Sequence, residues 1–365
     1  MERKTARKSK PPTKPPPPPP AKRRPSAAPP PPVDGTRPNV AALFQNLNVA
    51  VHGEHLYDPL RETLYSPAEL MAGYAPGIPW TSFDDRVYRH VQEHGHTHGR
   101  RPELREALTQ RVHDFSIDAA LGRLLDYGPD GLSRTRKVVG LMGGHEERRD
   151  SASYRKAAEV TRLLTREGFF IVTGGGPGMM EAGNLGAYLA GEPNDALDGA
   201  IETLSGALDY GYDKPEASAA YVAAAQAVLA RHPKGHENLS IPTWFYGGEP
   251  TNLFATHVAK YFSNSIREEG LLAIASHGVV FAPGSAATRQ EIFLNAAQNH
   301  YGEFGWCSPM VFLGTAQYRM LTQVFPLVQE TANENYRDLL CLSDDPREIA
   351  DFIARHPPRR PKLRD

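Results

Sequence analysis

The chain has 365 residues, 40% of them hydrophobic and 23% charged, with a formal net charge of −1. That suits one large domain or two small ones with an apolar core, and no run of eighteen apolar residues is present to build a membrane-spanning helix. The only cysteines, Cys307 and Cys341, are too few for a disulfide framework and lack metal-ligand spacing, which points to a reducing, cytoplasmic setting.

Residues 1–38 hold fourteen of the 33 prolines and ten Lys and Arg against Glu2 and Asp34. Such a segment buries no apolar surface and reads as a disordered, solvated arm with polyproline II character. It suits a tail without a specific partner, a dock for a proline-reading module, or a weak polyanion contact. It has no apolar stretch of the secretory-signal kind. The rest of the chain is net acidic, which argues against a body that wraps specific nucleic acid.

Residues 39–133 carry helical patches and no strand alternation. The clearest patch is 101–125, with Leu104, Leu108, Val112, Phe115, Ala119 and Leu121 on a helical period. This part reads as a mainly helical N-terminal extension packed on the main domain. From residue 134 to about 355 strands alternate with helices. Val138-Val139-Gly140-Leu141-Met142 reads as a buried strand, 154–166 as an amphipathic helix, and Phe169-Phe170-Ile171-Val172 as a second strand. A glycine turn and a helix through Leu189 follow. An insertion over about 192–237 contains a helix-prone run at 217–230 and a loop over 208–215, and suits a lid or an oligomer contact. Then come a strand over 241–246, a helix over 252–269, a strand over 278–282, a turn and a helix to about Asn299. A strand at 310–313, a helix at 317–330 and a last helix complete the unit. The last starts with Asp345 as N-cap and Pro346 at its first position. Residues 356–365 form a short basic tail. The predicted fold is α/β, a Rossmann-like doubly wound parallel sheet with helices on both faces. Ligands in such folds sit at the carboxyl ends of the strands.

Two glycine-bearing turns lie at such ends. The first is Thr173-Gly174-Gly175-Gly176-Pro177-Gly178-Met179-Met180-Glu181-Ala182, the second Pro283-Gly284-Ser285-Ala286-Ala287-Thr288-Arg289-Gln290-Glu291. Each joins a strand to a helix and can present backbone N–H groups to an anion. The first is not a dinucleotide fingerprint, because Met179 stands where G-x-G-x-x-G needs glycine.

The run from Gly174 to Ala187 resembles the GGGPGxMEAxNxGA signature of the LOG family, phosphoribohydrolases that cleave nucleoside 5′-monophosphates to free base and ribose 5-phosphate. The second turn resembles the family's PGGxGTxxE at Pro283, Gly284, Thr288 and Glu291, with Ser285 and Ala287 in place of two glycines. A serine there still offers its N–H and adds a hydroxyl. An alanine costs on the order of 1 kcal/mol if that position needs positive φ. Arg267, 24 positions before Glu291, stands where the family carries an Arg. The resemblance covers roughly 134–355 without the insertion. The long N-terminal extension is closer to the larger nucleotide 5′-monophosphate nucleosidases of the group.

The resemblance implies Glu291 and Arg267 as catalytic residues. Glu291 would stabilise an oxocarbenium-like state and move a proton; Arg267 would clamp oxygens in a planar fork. Gly174, Gly175, Gly176, Gly178, Gly284, Ser285, Ala286, Ala287 and Thr288 would hold phosphate, and Glu181 and Asn184 the ribose hydroxyls. His145, after Gly143-Gly144, faces the same cleft. The expected partner is a nucleoside 5′-monophosphate, with a homodimer or larger homo-oligomer as assembly and neither cofactor nor metal. His90, His94, His96 and His98 read as a solvated His-rich loop, and lysine decarboxylation finds no placed lysine. The alternative reading is a nucleotide-binding sensor or carrier without turnover.

Overall fold

The computed structural model describes residue 48 and residues 54–94, 102–126, 136–247 and 249–362; the Pro-rich arm and the last three residues of the basic tail lie outside them. Seven strands form one sheet in the order β4-β3-β2-β1-β5-β6-β7, and every pairing is parallel. In chain order they are β1 (Lys137–Met142), β2 (Phe169–Thr173), β3 (Leu239–Ser240), β4 (His257–Val258), β5 (Val279–Phe281), β6 (Met310–Leu313) and β7 (Leu340–Ser343). The order reverses at β1 and β5, so the crevice where such folds take ligands opens between those two strands.

Period-two alternation places apolar residues on both faces of the sheet. Val138, Met142, Val279, Phe281, Met310 and Phe312 join one core cluster. Val139, Leu141, Phe169, Ile171, Val280 and Val311 join the other. The first face is covered by α1 (Pro67–Leu70), α2 (Phe83–His94), α3 (Leu104–Leu124), α8 (Asn264–Ile274), α9 (Ala286–Tyr301) and α10 (Val324–Thr331). The second is covered by α4 (Ala152–Arg166), α5 (Met179–Tyr188), α6 (Asn194–Ser205), α7 (Pro215–Arg231) and α11 (Pro346–Arg355). The predicted doubly wound α/β architecture is therefore present, and no helix among the described residues is long and apolar enough to cross a membrane.

Several elements follow from local chemistry. Ser151 caps α4 through Tyr154 N–H, and Asp345 caps α11 by accepting from the N–H groups of Arg347 and Glu348, with Pro346 in the first turn. The insertion is two helices, α6 and α7, whose Leu197, Ile201, Ala225 and Val228 enter the core. Others depart from the sequence reading. The helix expected over 252–269 starts only at Asn264, and strand β4 lies inside the expected span. Its backbone pairs with Tyr65, whose N–H donates to the Val258 carbonyl at 3.0 Å. The strand expected over 241–246 is an irregular run beyond the short β3. The helix expected over 317–330 is broken into a π-helical turn, Ala316–Leu321, and α10, with Gln323 at φ 55° between them. Pro326 explains the break, since it has no N–H for the Thr322 carbonyl and its ring clashes there. Strand β7 was not expected. His90 and His94 lie on α2, with His90 3.3 Å from Glu106, so they are not in a loop; His96 and His98 fall outside the described residues.

Candidate functional site

A cleft of about 530 Å³ opens over the carboxyl ends of β1, β2 and β5, within the roughly 300–1,000 Å³ of small-molecule sites. Gly174, His145 and Arg267 line it from one side; Ser285, Ala286, Ala287, Thr288 and Glu291 line it from the other. The loops after β1 and β5 are tied together, because Gly144 N–H donates to the Pro283 carbonyl at 2.9 Å.

The two glycine turns differ in what they leave open. Met179 N–H, in the first turn of α5, donates to the Gly144 carbonyl at 3.0 Å. Gly178 has φ 69°, and a side chain there would bring its Cβ to 2.5 Å from that same carbonyl oxygen. The first turn thus locks β1 to β2 as much as it offers an anion cradle. At α9 no side chain caps the helix, and the N–H groups of Ala286, Ala287 and Thr288 have no acceptor among the described residues. Helix α9 therefore keeps the open anion-binding end. Gly175, Gly176 and Gly284 shape the walls without lining the cleft.

Neither departure from the glycine motif strains the backbone. Ser285 has φ −95°, and Ala287 is the second residue of a right-handed helix, outside the positive-φ positions. Alanine is the best helix former, so Ala287→Gly is expected to weaken the chain by up to about 1 kcal/mol. A rise in the urea midpoint for that variant would contradict this placement.

Arg267 is 5% exposed and lines the cleft. Its Nε donates to the Ile241 carbonyl at 2.8 Å and its Nη2 to the Gly174 carbonyl at 3.1 Å. Its Nη1 lies 3.9 Å from Glu291 Oε1 and 3.8 Å from Glu268 Oε1. A Cβ at Gly174 would sit 2.7 Å from Nη2, so glycine is what admits the guanidinium. Glu268 is held by Asn264 at 2.9 Å and Gln290 at 3.0 Å. Glu291 has no such bonds among the described residues. Burial pushes its carboxyl up to about 7, with Arg267 pulling it down and Glu268 pushing it up.

Two expected ribose holders are elsewhere. Glu181 is buried against Arg149, whose Nε and Nη2 donate to it at 2.8 and 2.6 Å, and it accepts from the Tyr154 and Tyr221 hydroxyls, both at 3.0 Å. Arg149 also donates to the carbonyls of Ala207 and Tyr221, so this pair pins the insertion to α5. Asn184 accepts from Thr173 and Asn252 and donates to Asn238 and the Leu239 carbonyl. Both side chains are hydrogen-bonded inside the fold, and neither lines the cleft.

Sequence reasoning missed Glu249 and Tyr246, which also line the cleft. Burial raises the Glu249 carboxyl, opposed by His145, Arg267 and Lys260, and His145 Nδ1 lies 4.0 Å from it. The signal was a third glycine run, Gly247-Gly248-Glu249-Pro250, after a strand, β3, of only two residues and too short to read. The loop is tethered from behind: Asp84 on α2 accepts from Trp244 Nε1 at 2.7 Å and Thr251 at 2.8 Å, and pairs with Lys260 at 2.5 Å.

Residues 136–192 match the model of the SLOG cluster4 family. Similar solved structures include the molybdenum cofactor binding protein of the phototrophic bacterium Rippkaea orientalis, 12% identical over 61% of this chain and 98% of that one, with a TM-score of 0.37. The molybdenum cofactor carrier protein of Chlamydomonas reinhardtii is 14% identical over 60% of this chain and 97% of that one, with a TM-score of 0.36. No curated protein matches. The match to the SLOG cluster4 family thus spans β1, the first glycine turn and α5 of a Rossmann-like parallel sheet.

Proposed function

We propose that the cleft hydrolyses the N-glycosidic bond of nucleoside 5′-monophosphates, releasing free base and ribose 5-phosphate. The observation that carries this reading is Glu291, a buried carboxyl pushed up to about 7. It lies beside Arg267 and two turns or less into a helix whose N-terminus is open. The 5′-phosphate takes the uncapped first turn of α9, where Ser285 adds a hydroxyl donor. Arg267 and the Glu291 carboxylate then face the sugar. The carboxylate stabilises positive charge at the anomeric carbon and removes a proton from the attacking water. The water's oxygen bonds to that carbon as the bond to nitrogen breaks, and the proton passes to the base. A group near 7 works both as acceptor and as donor at neutral pH.

A second reading is a nucleotide sensor or carrier without turnover. Two of the three guanidinium nitrogens of Arg267 are spent on the Ile241 and Gly174 carbonyls, which favours a rigid binder over a catalytic clamp. Incubation with AMP, GMP, CMP, UMP and IMP followed by chromatography of free base separates the two. Base release supports hydrolysis; tight binding with no base released leaves the carrier. The expected homodimer or larger oligomer is checked by light scattering on an eluting peak, where a monomer mass counts against it.

A further inference from the structure

A second chamber shares Glu249 with the cleft as a lining residue. Its other walls come from the N-terminal segment, with Met71, Tyr74 and Ile78, and from the insertion, with Tyr212 and Val222. The walls are apolar and aromatic, and Tyr212 is braced by Trp80, stacked at 3.7 Å between ring centroids. The hydroxyl donors of the walls are mostly spent: Ser218 donates to the Gly211 carbonyl at 2.9 Å and Thr251 to Asp84 at 2.8 Å. Asp85 accepts from the Ser82 hydroxyl at 2.6 Å and the Tyr212 hydroxyl at 3.0 Å. No donor within hydrogen-bond distance serves Glu249 among the described residues, and the buried Tyr74 hydroxyl has no partner there either. Lys260, the cation on this side, is committed to Asp84.

An apolar, aromatic-walled chamber with one carboxylate, Glu249, that lacks a donor suits an aromatic ring that brings N–H donors. A ring carrying an oxo group at the same place would set one acceptor against another. We propose that this chamber receives the base of the bound nucleotide and that Glu249 selects bases with an exocyclic amino group over the matching oxo bases. The inference rests on the mononucleotide reading above and adds the element that chooses among mononucleotides.

Matched pairs test it by titration calorimetry on the full chain: AMP against IMP, and CMP against UMP. The amino member of each pair is expected to bind about tenfold more tightly or better, as for a hydrogen bond to a charged group. In Glu249→Gln the amide offers a donor as well as an acceptor, so both ratios should collapse toward one while the melting temperature stays near wild type. Pairs that bind equally in the wild type, or a preference that Glu249→Gln leaves unchanged, overturn the inference and leave the nucleotide reading standing. Failure of all four mononucleotides to bind overturns both. If the variant does not fold, the wild-type ratios decide alone.

Discussion

Glu291→Gln is expected to cut base release from mononucleotides by about 10²- to 10⁴-fold, the range of a lost general acid–base group, with nucleotide affinity changed little. Glutamine keeps the shape but cannot carry a proton through the reaction. The same variant should be more stable than the wild type at alkaline pH. The Glu291 carboxyl titrates near 7 in the folded chain against an ordinary 4.5, so between those values the folded chain holds a proton that the unfolded chain has lost. The stability linked to this group is full below pH about 4.5 and is lost as pH rises through about 7. Integrated, the loss is on the order of 3 kcal/mol. Thermal melts of Glu291→Gln and wild type should therefore diverge at pH 8 and converge near pH 4. Parallel melting curves at both pH values would mean that burial does not raise the Glu291 carboxyl as described above. Stability withheld at a site that needs a buried carboxyl is the usual trade between folding and function.

The second large effect is at the other acid of the motif. Arg149→Met leaves the Glu181 carboxylate buried without its bidentate partner and is expected to cost about 3–5 kcal/mol in a urea titration. Glu181→Gln should cost less, because an amide oxygen still accepts from Tyr154 and Tyr221. Neither change touches the cleft lining, so the folded fraction of each variant should keep nucleotide affinity. Intact stability with affinity lost in Glu181→Gln would return Glu181 to the ligand site.

What could be read locally was set by segment length and period. Strands β1, β2, β5 and β6 are apolar runs closed by turn residues, and each is buried on both faces. Strands β3 and β4 have two residues each, too few for a period, and exist because neighbours pair with them. β7 alternates buried and half-buried positions at the sheet edge. The start of α8, which decides where Arg267 points, is fixed from far away. Asp114 on α3 accepts from the N–H groups of Phe262 at 2.8 Å and Ser263 at 3.0 Å. A cap supplied from about 150 residues earlier leaves no trace in the window around 263.

The sequence by itself determined the parallel α/β sheet, the two glycine turns at its carboxyl edge, and Arg267 and Glu291 as the pair to examine. The sheet and the turns follow from short-range rules, the strand period of two, the steric freedom of glycine, and a helix that repeats every 3.6 residues; the Arg267 and Glu291 pair follows from the resemblance to the LOG family motifs. Only the tertiary structure decided which acids line the cleft. Glu181, Glu249, Glu268 and Glu291 are the same chemical group, and their neighbours along the chain do not separate them. Arg149 and two tyrosines enclose Glu181, while Asp84 holds the loop that turns Glu249 toward the cleft. The distinction is made by partners brought from 27 to 167 positions away, and a buried carboxylate takes whatever donors the fold delivers to it.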